Sequence, residues 1–194
     1  MRNVVSSVIA IVLITVFFGF AYPIVLTGFA QVAFKHQANG SLIERNGKVV
    51  GSKLAAQEFK SPRYFHERPS GTSPAYNAAG TTFANLGPTS PDLAKNVKAA
   101  AQAILKLERP YNPGLTIHRI PVDAVTTSGS GIDPDISPAY AQLQGRRIAA
   151  ERHLPLATVQ KLITQNTDGR SWGFFGEPGV NVLELNLALD REQG

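Results

Sequence analysis

The chain contains no cysteine, and it has only one tryptophan and one methionine among 194 residues. Cysteine nucleophiles and zinc sites built from thiolates are therefore excluded. The absence does not identify a compartment, because cytosolic and exported chains can both do without disulfides. No histidine has a second histidine or a carboxylate at a metal-ligand spacing that stands out, so no metal site is predicted. The histidines are His36, His66, His118 and His153.

Sequence motifs of common catalytic sites are also missing. The chain has neither the phosphate-binding loop Gly-x-x-x-x-Gly-Lys-Ser/Thr nor the nucleophile elbow Gly-x-Ser-x-Gly, and it shows no internal repeat. Its formal net charge of +5 comes from basic residues spread along the chain, the densest pair being Arg146 and Arg147. Nucleic-acid binding would need a basic stripe and a recognisable motif. We expect no catalytic residue in this chain and no nucleic-acid partner.

Charged side chains are absent between Arg2 and Lys35. A membrane core about 30 Å thick requires roughly 20 consecutive apolar residues in a helix. The run predicts one transmembrane helix from about Val4 to Ala30, with a kink near Pro23, which lacks a backbone donor. The alternatives are a cleaved signal peptide, which would have a shorter apolar region, and a buried soluble helix, which would show a polar face.

The predicted organisation is a membrane anchor over residues 1–34 followed by one soluble domain over residues 35–194. Only Arg2 and the amino terminus precede the helix, whereas Lys35, Arg45 and Lys48 follow it closely. A count of nearby positive charges would place the domain in the cytoplasm. Long domains cross membranes largely regardless of charge, so the count leaves the orientation open.

Turn and capping signals divide the domain into elements. Asn46-Gly47, flanked by apolar pairs, predicts a two-stranded hairpin within Ser41–Gly51. Ser90-Pro91-Asp92 and Ser137-Pro138 are typical helix starts, with a capping serine and a proline in the first turn. The predicted helices run from Ser90 to Pro110, from Ser137 to about His153, and from Pro155 to Gln165.

Two further segments have features of strands. A short strand is expected within Thr116–Val125. In the tail Val180–Asp190, leucines occupy alternate positions, which is the pattern of a half-buried strand that would suit a sheet shared with the hairpin. A helix is the alternative for the tail because leucine favours helices. The expected fold class is α+β, a single transmembrane helix followed by one mixed helix and sheet domain.

The stretch Ser61–Pro91 contains five prolines, which exclude a long helix. Loops of this length are usually functional or disordered. Aromatic residues argue that this one is ordered, packed either on the core or on a partner. They are Tyr64, Phe65, Tyr76 and Phe83.

A second loop, Thr126–Ser137, is rich in glycine, serine and aspartate. Its backbone donors could cradle an anion, or its oxygens could bind a hard cation. Asp133 and Asp135 have the spacing of a calcium loop, but the remaining ligand positions do not follow. Alternatively, the serines and aspartates satisfy local backbone donors as turns and caps. The residues alone leave these interpretations open.

In their order along the chain, these motifs resemble the KdpC family, the C subunits of the bacterial potassium-transporting Kdp ATPase (the KdpFABC complex). The resemblance covers nearly the whole chain, including the N-terminal apolar helix. The matching segments are Gly40–Gly51, Ser61–Phe65, Arg68–Ser70, Asn85–Thr89, Pro121–Thr126, Ser128–Ser137, Gly176–Pro178 and Val180–Asp190. The chain departs from the family pattern at Ala55, Glu67, Asp135 and Arg146 and in the run Gly80–Ala84.

The resemblance implies a non-catalytic accessory subunit of a high-affinity, ATP-driven potassium uptake pump. The chain itself lacks the Asp-Lys-Thr-Gly phosphorylation loop of P-type ATPases and a Thr-Val-Gly-Tyr-Gly-like filter, and one span is too few to enclose a pore. The implied partners are a P-type ATPase subunit, a channel-like potassium-binding subunit, a very small membrane peptide and membrane lipid. The implied location is the bacterial cytoplasmic (inner) membrane, with the N-terminus inside and the domain on the periplasmic or extracellular side.

The resemblance also implies a role as a catalytic chaperone that assembles and stabilises the complex and raises the ATP affinity of the ATPase subunit. ATP is then a cofactor through that subunit. The implied nucleotide contacts are Gln144 and Arg147, with Ser128, Gly129, Ser130 and Gly131 as candidate phosphate donors. The alternative is an extracytoplasmic structural or ligand-binding module without a nucleotide role, because ATP lies on the opposite side of the membrane from a domain so placed.

Overall fold

The computed structural model describes residues 2–80 and 85–192. The chain divides into two compact units, Met1–Val50 and Gly51–Gly194. The predicted boundary between residues 34 and 35 is the point where the chain would leave a membrane. A division into compact units does not test that point, so the boundary stays a prediction.

The first unit begins with an apolar helix built from α1 (Arg2–Val16), a π-helical turn (Phe17–Ala21) and α2 (Tyr22–Ala33). Over its 32 residues it is long and apolar enough to span a membrane, and it is the one such helix within the described ranges. The wide turn ends two residues before Pro23 and contains Gly19, whose carbonyl lies four residues before the proline, where its ring would clash. The kink itself stays a prediction.

A short helix and a hairpin follow. Helix α3 (Lys35–Ala38) leads into strands β1 (Leu42–Arg45) and β2 (Lys48–Ser52), which pair with each other. Asn46 and Gly47 both have positive φ, at 54° and 73°, which a two-residue turn of this type requires. The predicted hairpin is confirmed.

The second unit is a mixed layer of helices and a small sheet. Its elements are α4 (Pro91–Glu108), β3 (Asp135–Ile136), α5 (Pro138–Arg152), α6 (Leu156–Gln165), β4 (Thr167–Asp168), β5 (Gly179–Asn181) and α7 (Val182–Glu192). The sheet has the order β3-β5-β4 and is antiparallel, with Val180 of the central strand opposite Ile136 on one side and Thr167 on the other. The α+β class and the three predicted helices are confirmed.

The core lies between this sheet and helices α5, α6 and α7. Burial of large apolar side chains there supplies the main stabilisation, about 1.5–3 kcal/mol for each fully buried residue. The most buried apolar side chains are Phe65, Ile136, Tyr140, Ile148, Val159, Val180, Val182, Leu185 and Leu189.

Two predicted strands are wrong. Residues Thr116–Val125 contain two 3-10 turns, Ile117–Arg119 and Val122–Ala124, and Pro121 between them lacks the donor that a strand ladder needs. The tail is a strand only over Gly179–Asn181 and then becomes α7, so it shares no sheet with the hairpin. In α7 the partly exposed residues lie three apart, a helical spacing that the alternating leucines conceal; they are Glu184, Leu187 and Asp190.

Candidate functional site

Helix α5 positions both residues that the resemblance implied as nucleotide contacts. Its start is fixed by Ser137, whose Oγ accepts a hydrogen bond from the backbone N–H of Tyr140 at 3.1 Å. The Asp123 carboxylate in turn accepts from the Ser137 backbone N–H at 2.7 Å and from its hydroxyl at 2.9 Å. The capped helix then places Gln144 and Arg147, three residues apart, on neighbouring turns.

Arg147 is fully buried, and each of its guanidinium nitrogens has a partner. Nε donates to Glu108 Oε1 at 2.7 Å, and Nη2 donates to Gln144 Oε1 at 2.8 Å. Nη1 donates to the backbone carbonyls of Pro62 and Tyr64, the latter at 2.9 Å. The planar fork of arginine suits this set of acceptors, which a lysine could not satisfy.

Glu108 is the acid of this ion pair, and it was not predicted from the sequence. Its side chain is fully buried at the end of α4. Burial raises the pKa of its carboxyl, while the neighbouring Arg147 lowers it. A signal was present, because Glu108 lies four residues after Ile104 and so continues the apolar face of α4, where a carboxylate needs a buried partner.

Two side-chain amides hold a backbone segment that belongs to no helix or strand. The Gln144 amide accepts from the N–H of His66 at 2.7 Å and donates to its carbonyl at 3.0 Å. Asn186 on α7 does the same for Phe65, at 2.9 and 3.0 Å. Each amide offers one donor and one acceptor to the backbone of a single residue, as a neighbouring β-strand would.

A third contact completes the set. Arg152 donates through Nε to the Arg63 carbonyl at 2.7 Å and through Nη2 to the Asp190 carboxylate at 2.9 Å. Its guanidinium lies 4.6 Å from the centre of the Tyr64 ring, within range of a cation–π interaction. Residues Pro62–His66 are therefore held by side chains from α5 and α7 at every position, and we name them the clamped segment.

Two titratable groups near these contacts have shifted pKa values, His66 at the end of the clamped segment and Glu67, the next residue. Burial, and to a smaller extent Arg147, lower the pKa of His66, although its hydrogen bond with the Ser61 carbonyl favours the charged ring. Burial raises the pKa of Glu67 to about 9, with small further contributions from Asp135 and Asp133, and the backbone N–H of Gln57 opposes the rise. Glu67 is therefore protonated at neutral pH.

The loop proposed as a phosphate cradle is structured by its own side chains. Ser128 Oγ accepts from the N–H of Gly131 at 2.9 Å, and Ser130 Oγ accepts from the N–H of Ile132 at 3.3 Å. Gly129 and Ser130 are exposed, whereas Gly131 is buried and its carbonyl accepts from the N–H of Gly71 at 3.0 Å. The serine hydroxyls thus satisfy local backbone donors, as the interpretation of the loop as turns and caps expects, and the phosphate contact stays a prediction.

Arg68, which bonds to this loop, has an anionic partner in it. Arg68 donates to the Asp133 carboxylate at 3.2 Å and to the Thr127 carbonyl at 3.1 Å. A cavity of about 390 Å³ lies between α4 and the loop, and every described residue that lines it is uncharged, Ser128 and Gly129 among them. A phosphate would find backbone and hydroxyl donors there but no unpaired cation in the lining.

The two carboxylates of the calcium-loop alternative also have partners within the chain. Asp133 is paired with Arg68, and the Asp135 carboxylate accepts from the Asn181 amide at 3.1 Å. Burial raises the pKa of Asp135, the Asn181 hydrogen bond opposes the rise, and Asp133 adds to it. Within residues 2–80 and 85–192, no group of three or more His, Asp or Glu side chains is placed to hold a metal ion.

The predicted site residues form two groups, and both groups contact the stretch of chain between Pro62 and Gly71. Gln144 and Arg147 bond to each other and to the clamped segment, and Ser128–Gly131 contacts the continuation of that segment at Ser70 and Gly71. The predicted order of the long loop is confirmed for its described part, where Phe65 is fully buried and the Tyr76 hydroxyl donates to the Arg68 carbonyl at 2.9 Å. Phe83 and most of the run Gly80–Ala84 lie outside the described residues.

These features define a class of protein, a chain with one apolar helix long enough to span a membrane and a small α+β domain. In the described part of that domain, a buried cluster of polar side chains binds the backbone of the clamped segment. The profile of the family described as KdpC, "K+-transporting ATPase, c chain", matches residues 4–191. A "Potassium-transporting ATPase KdpC subunit" of Burkholderia vietnamiensis is 50% identical over 100% of this chain and 99% of its own. Subunits of the same name from Methylococcus capsulatus and Beijerinckia indica are 51% and 45% identical, covering 91% and 98% of this chain and 90% and 94% of their own. This chain belongs to the KdpC family, and it is a subunit of a potassium-transporting ATPase.

Proposed function

We propose that this chain is a non-catalytic accessory subunit that assembles and stabilises the potassium pump, and that it raises the ATP affinity of the P-type ATPase subunit without itself contacting ATP. Its other proposed partners are the channel-like potassium-binding subunit and the small membrane peptide. The proposed location is the bacterial inner membrane, with the domain on the extracytoplasmic side.

One observation carries this proposal. Gln144 and Arg147 are fully buried, and their side-chain polar groups are engaged with Glu108, with each other and with the clamped segment. A nucleotide could reach them only if the clamped segment left the core, which would expose Phe65 and leave Arg147 Nη1 without its carbonyl acceptors. A buried polar group that loses its partner costs about 1–3 kcal/mol, and more when it is charged. The two residues are better suited to shaping a surface than to binding a ligand.

An effect on ATP affinity then has to pass through subunit contacts. If this chain binds one conformation of the ATPase subunit more tightly, and ATP favours the same conformation, the two bindings are coupled and each strengthens the other equally. The surface that makes such contacts includes the exposed side chains of the clamped segment, Pro62 and Arg63. Its shape depends on Gln144 and Arg147 behind it.

The test is the variant Gln144→Ala in the assembled pump, with Gln142→Ala as its control, because Gln142 lies on the same helix but is exposed. We measure three quantities: the KM for ATP, the amount of this chain retained in the purified complex, and cleavage by trypsin after Arg63. The structural role predicts faster cleavage at Arg63 and loss of this chain from the complex. In complexes that keep the subunit, the KM for ATP should rise only together with faster cleavage at Arg63.

A direct nucleotide contact predicts a different result. The KM for ATP would then rise several-fold in complexes that retain the subunit in full amount, and trypsin sensitivity at Arg63 would stay at the parental level. That outcome would contradict the proposal and restore Gln144 as a nucleotide contact. If removal of the whole chain left both the KM and the integrity of the complex unchanged, the accessory role itself would be wrong.

A further inference from the structure

A short turn between β4 and β5 projects three aromatic side chains into solvent. Ser171 and Phe175 pair as in an antiparallel ladder, each N–H donating to the other's carbonyl at 2.9 Å. Trp172 and Gly173 make the bend with positive φ, at 57° and 82°. We call residues Ser171–Phe175 the aromatic turn.

The apolar surface of this turn is unusually exposed. The exposed fraction is 89% for Trp172, 64% for Phe174 and 61% for Phe175, and the two phenylalanine rings lie 4.2 Å apart. Neighbouring exposed apolar residues of this size are typical of interaction sites. A left-handed backbone also disfavours a bulky residue, so folding alone would favour glycine or asparagine at position 172.

The charge around the turn is balanced. Arg170, just before it, donates from one guanidinium nitrogen to both oxygens of Glu177, at 2.8 and 2.7 Å. The pair braces the base of the turn and leaves no net charge from these two residues. A partner held by this surface is therefore selected by apolar contact and by the indole N–H rather than by ionic attraction.

A membrane lies within reach of the aromatic turn by covalent connection alone. The helix Arg2–Ala33 is long and apolar enough to span a bilayer. Even fully extended, the chain from Ala33 to Gly51 reaches about 60 Å, and a compact unit of this size has a radius of gyration of about 15 Å. Tethering keeps the bilayer surface at a high effective concentration for any part of the domain.

We propose that the aromatic turn inserts into the headgroup region of the bilayer that holds the N-terminal helix. Tryptophan is enriched at membrane–water interfaces because its ring is apolar and its N–H can bond to polar lipid groups. The phenylalanines enter the adjoining hydrocarbon boundary. The ligand is the lipid surface itself, of either net charge, and the proposal rests on residues 2–33 lying in that membrane.

The experiment uses Trp172 as its reporter, because it is the one tryptophan in the sequence. The full chain is reconstituted into phosphatidylcholine vesicles, with or without bromine on the acyl chains, at a low protein-to-lipid ratio. Insertion predicts that brominated lipid quenches Trp172 fluorescence by at least two-fold, that aqueous iodide quenches it weakly, and that adding anionic lipid changes neither result. Flotation of the vesicles reports separately whether the anchor is in the membrane.

Two variants sharpen the test. The double variant Phe174→Ser, Phe175→Ser should reduce quenching by brominated lipid and increase quenching by iodide. Val122→Ser is the control, because Val122 is also exposed, at 73%, and lies outside the turn. Strong iodide quenching with no effect of bromine, in vesicles that float with the protein, would overturn the proposal. Protection from both quenchers in vesicles that float with the full chain would also overturn it, because protein would then cover the turn.

Discussion

At the scale of single residues, the fully buried ion pair of Arg147 and Glu108 should contribute strongly to the stability of the domain. We expect Arg147→Met to lower the free energy of unfolding by about 3–5 kcal/mol, because it leaves the Glu108 carboxylate and the carbonyls of the clamped segment without their donor. Arg146→Met is the matched control, since Arg146 is exposed, and it should change stability by no more than about 0.5 kcal/mol.

The measurement is denaturant unfolding of the full chain in mild detergent. Adding Glu108→Gln to Arg147→Met should recover part of the loss, because the unpaired carboxylate is then gone. Equal shifts for Arg147→Met and Arg146→Met would show that the ion pair contributes nothing to folding. A double variant as unstable as the sum of its single changes would show that the two residues are not coupled.

Glu67 gives the domain a predictable dependence on pH. Its pKa in the folded state is raised to about 9, whereas a free glutamate titrates near 4.5. Between these values the folded chain keeps a proton that the unfolded chain releases, so stability falls as the pH rises, by at most about 1.4 kcal/mol per pH unit. Stability from this group is fully present below pH 4.5 and is lost as the pH approaches 9.

The variant Glu67→Gln isolates this effect. Unfolding by urea at several pH values between 5 and 8 should show a steep loss of stability in the parent and a shallower one in Glu67→Gln. Glu58→Gln is the control, since Glu58 is an exposed carboxylate paired with Lys60, and it should retain the parental slope. Identical slopes in all three chains would mean that Glu67 ionises normally in the folded protein.

At the scale of elements, the two proline-led helices differ in their caps, and this difference can be measured. Ser137 accepts from Tyr140 and donates to Asp123, whereas Ser90, at the start of α4, makes no side-chain cap. Ser137→Ala should therefore cost about 1–2 kcal/mol and Ser90→Ala only a few tenths. Thermal unfolding followed by circular dichroism distinguishes the two, and equal losses would show that the cap geometry is irrelevant.

The same elements show how far the sequence could predict the fold. Helix α4 was predictable from a serine and proline start together with apolar spacing, α5 from its serine and proline start, and α6 from proline and apolar spacing. Helix α7 was not, because it is buried on most sides, so leucines satisfy alternate positions as well as helical ones. Its true signal is the three-residue spacing of Glu184, Leu187 and Asp190.

The site was predictable only in part for a similar reason. The resemblance selected Gln144 and Arg147, and they do lie at the centre of a polar cluster. Their partners could not be predicted, because Glu108 and the clamped segment lie 39 and about 80 residues away in sequence and meet them only in the folded chain. Asn186 is likewise 121 residues from Phe65, and local patterns carry no information about such pairs.

At the scale of the whole molecule, the lack of cysteine makes the orientation of the domain directly measurable. Single cysteines can be introduced at two exposed positions, Asn3, at the N-terminal end of the apolar helix, and Gln160, which follows that helix in sequence. If the domain is extracytoplasmic, a membrane-impermeant maleimide should label Gln160→Cys in intact spheroplasts and should label Asn3→Cys only after lysis. The cysteine-free parent is the control for background labelling.

The reverse pattern of labelling would place the domain beside ATP in the cytoplasm, as the count of positive charges alone would predict. It would remove the topological obstacle to a nucleotide contact, although Gln144 and Arg147 would still be buried in the core. Labelling of both positions before lysis would mean that the helix does not hold the chain across the membrane, and the tethering on which the aromatic turn depends would be lost. Labelling of Gln160→Cys alone means that any influence on ATP affinity must cross the membrane through protein, because the domain and the nucleotide are then on opposite sides.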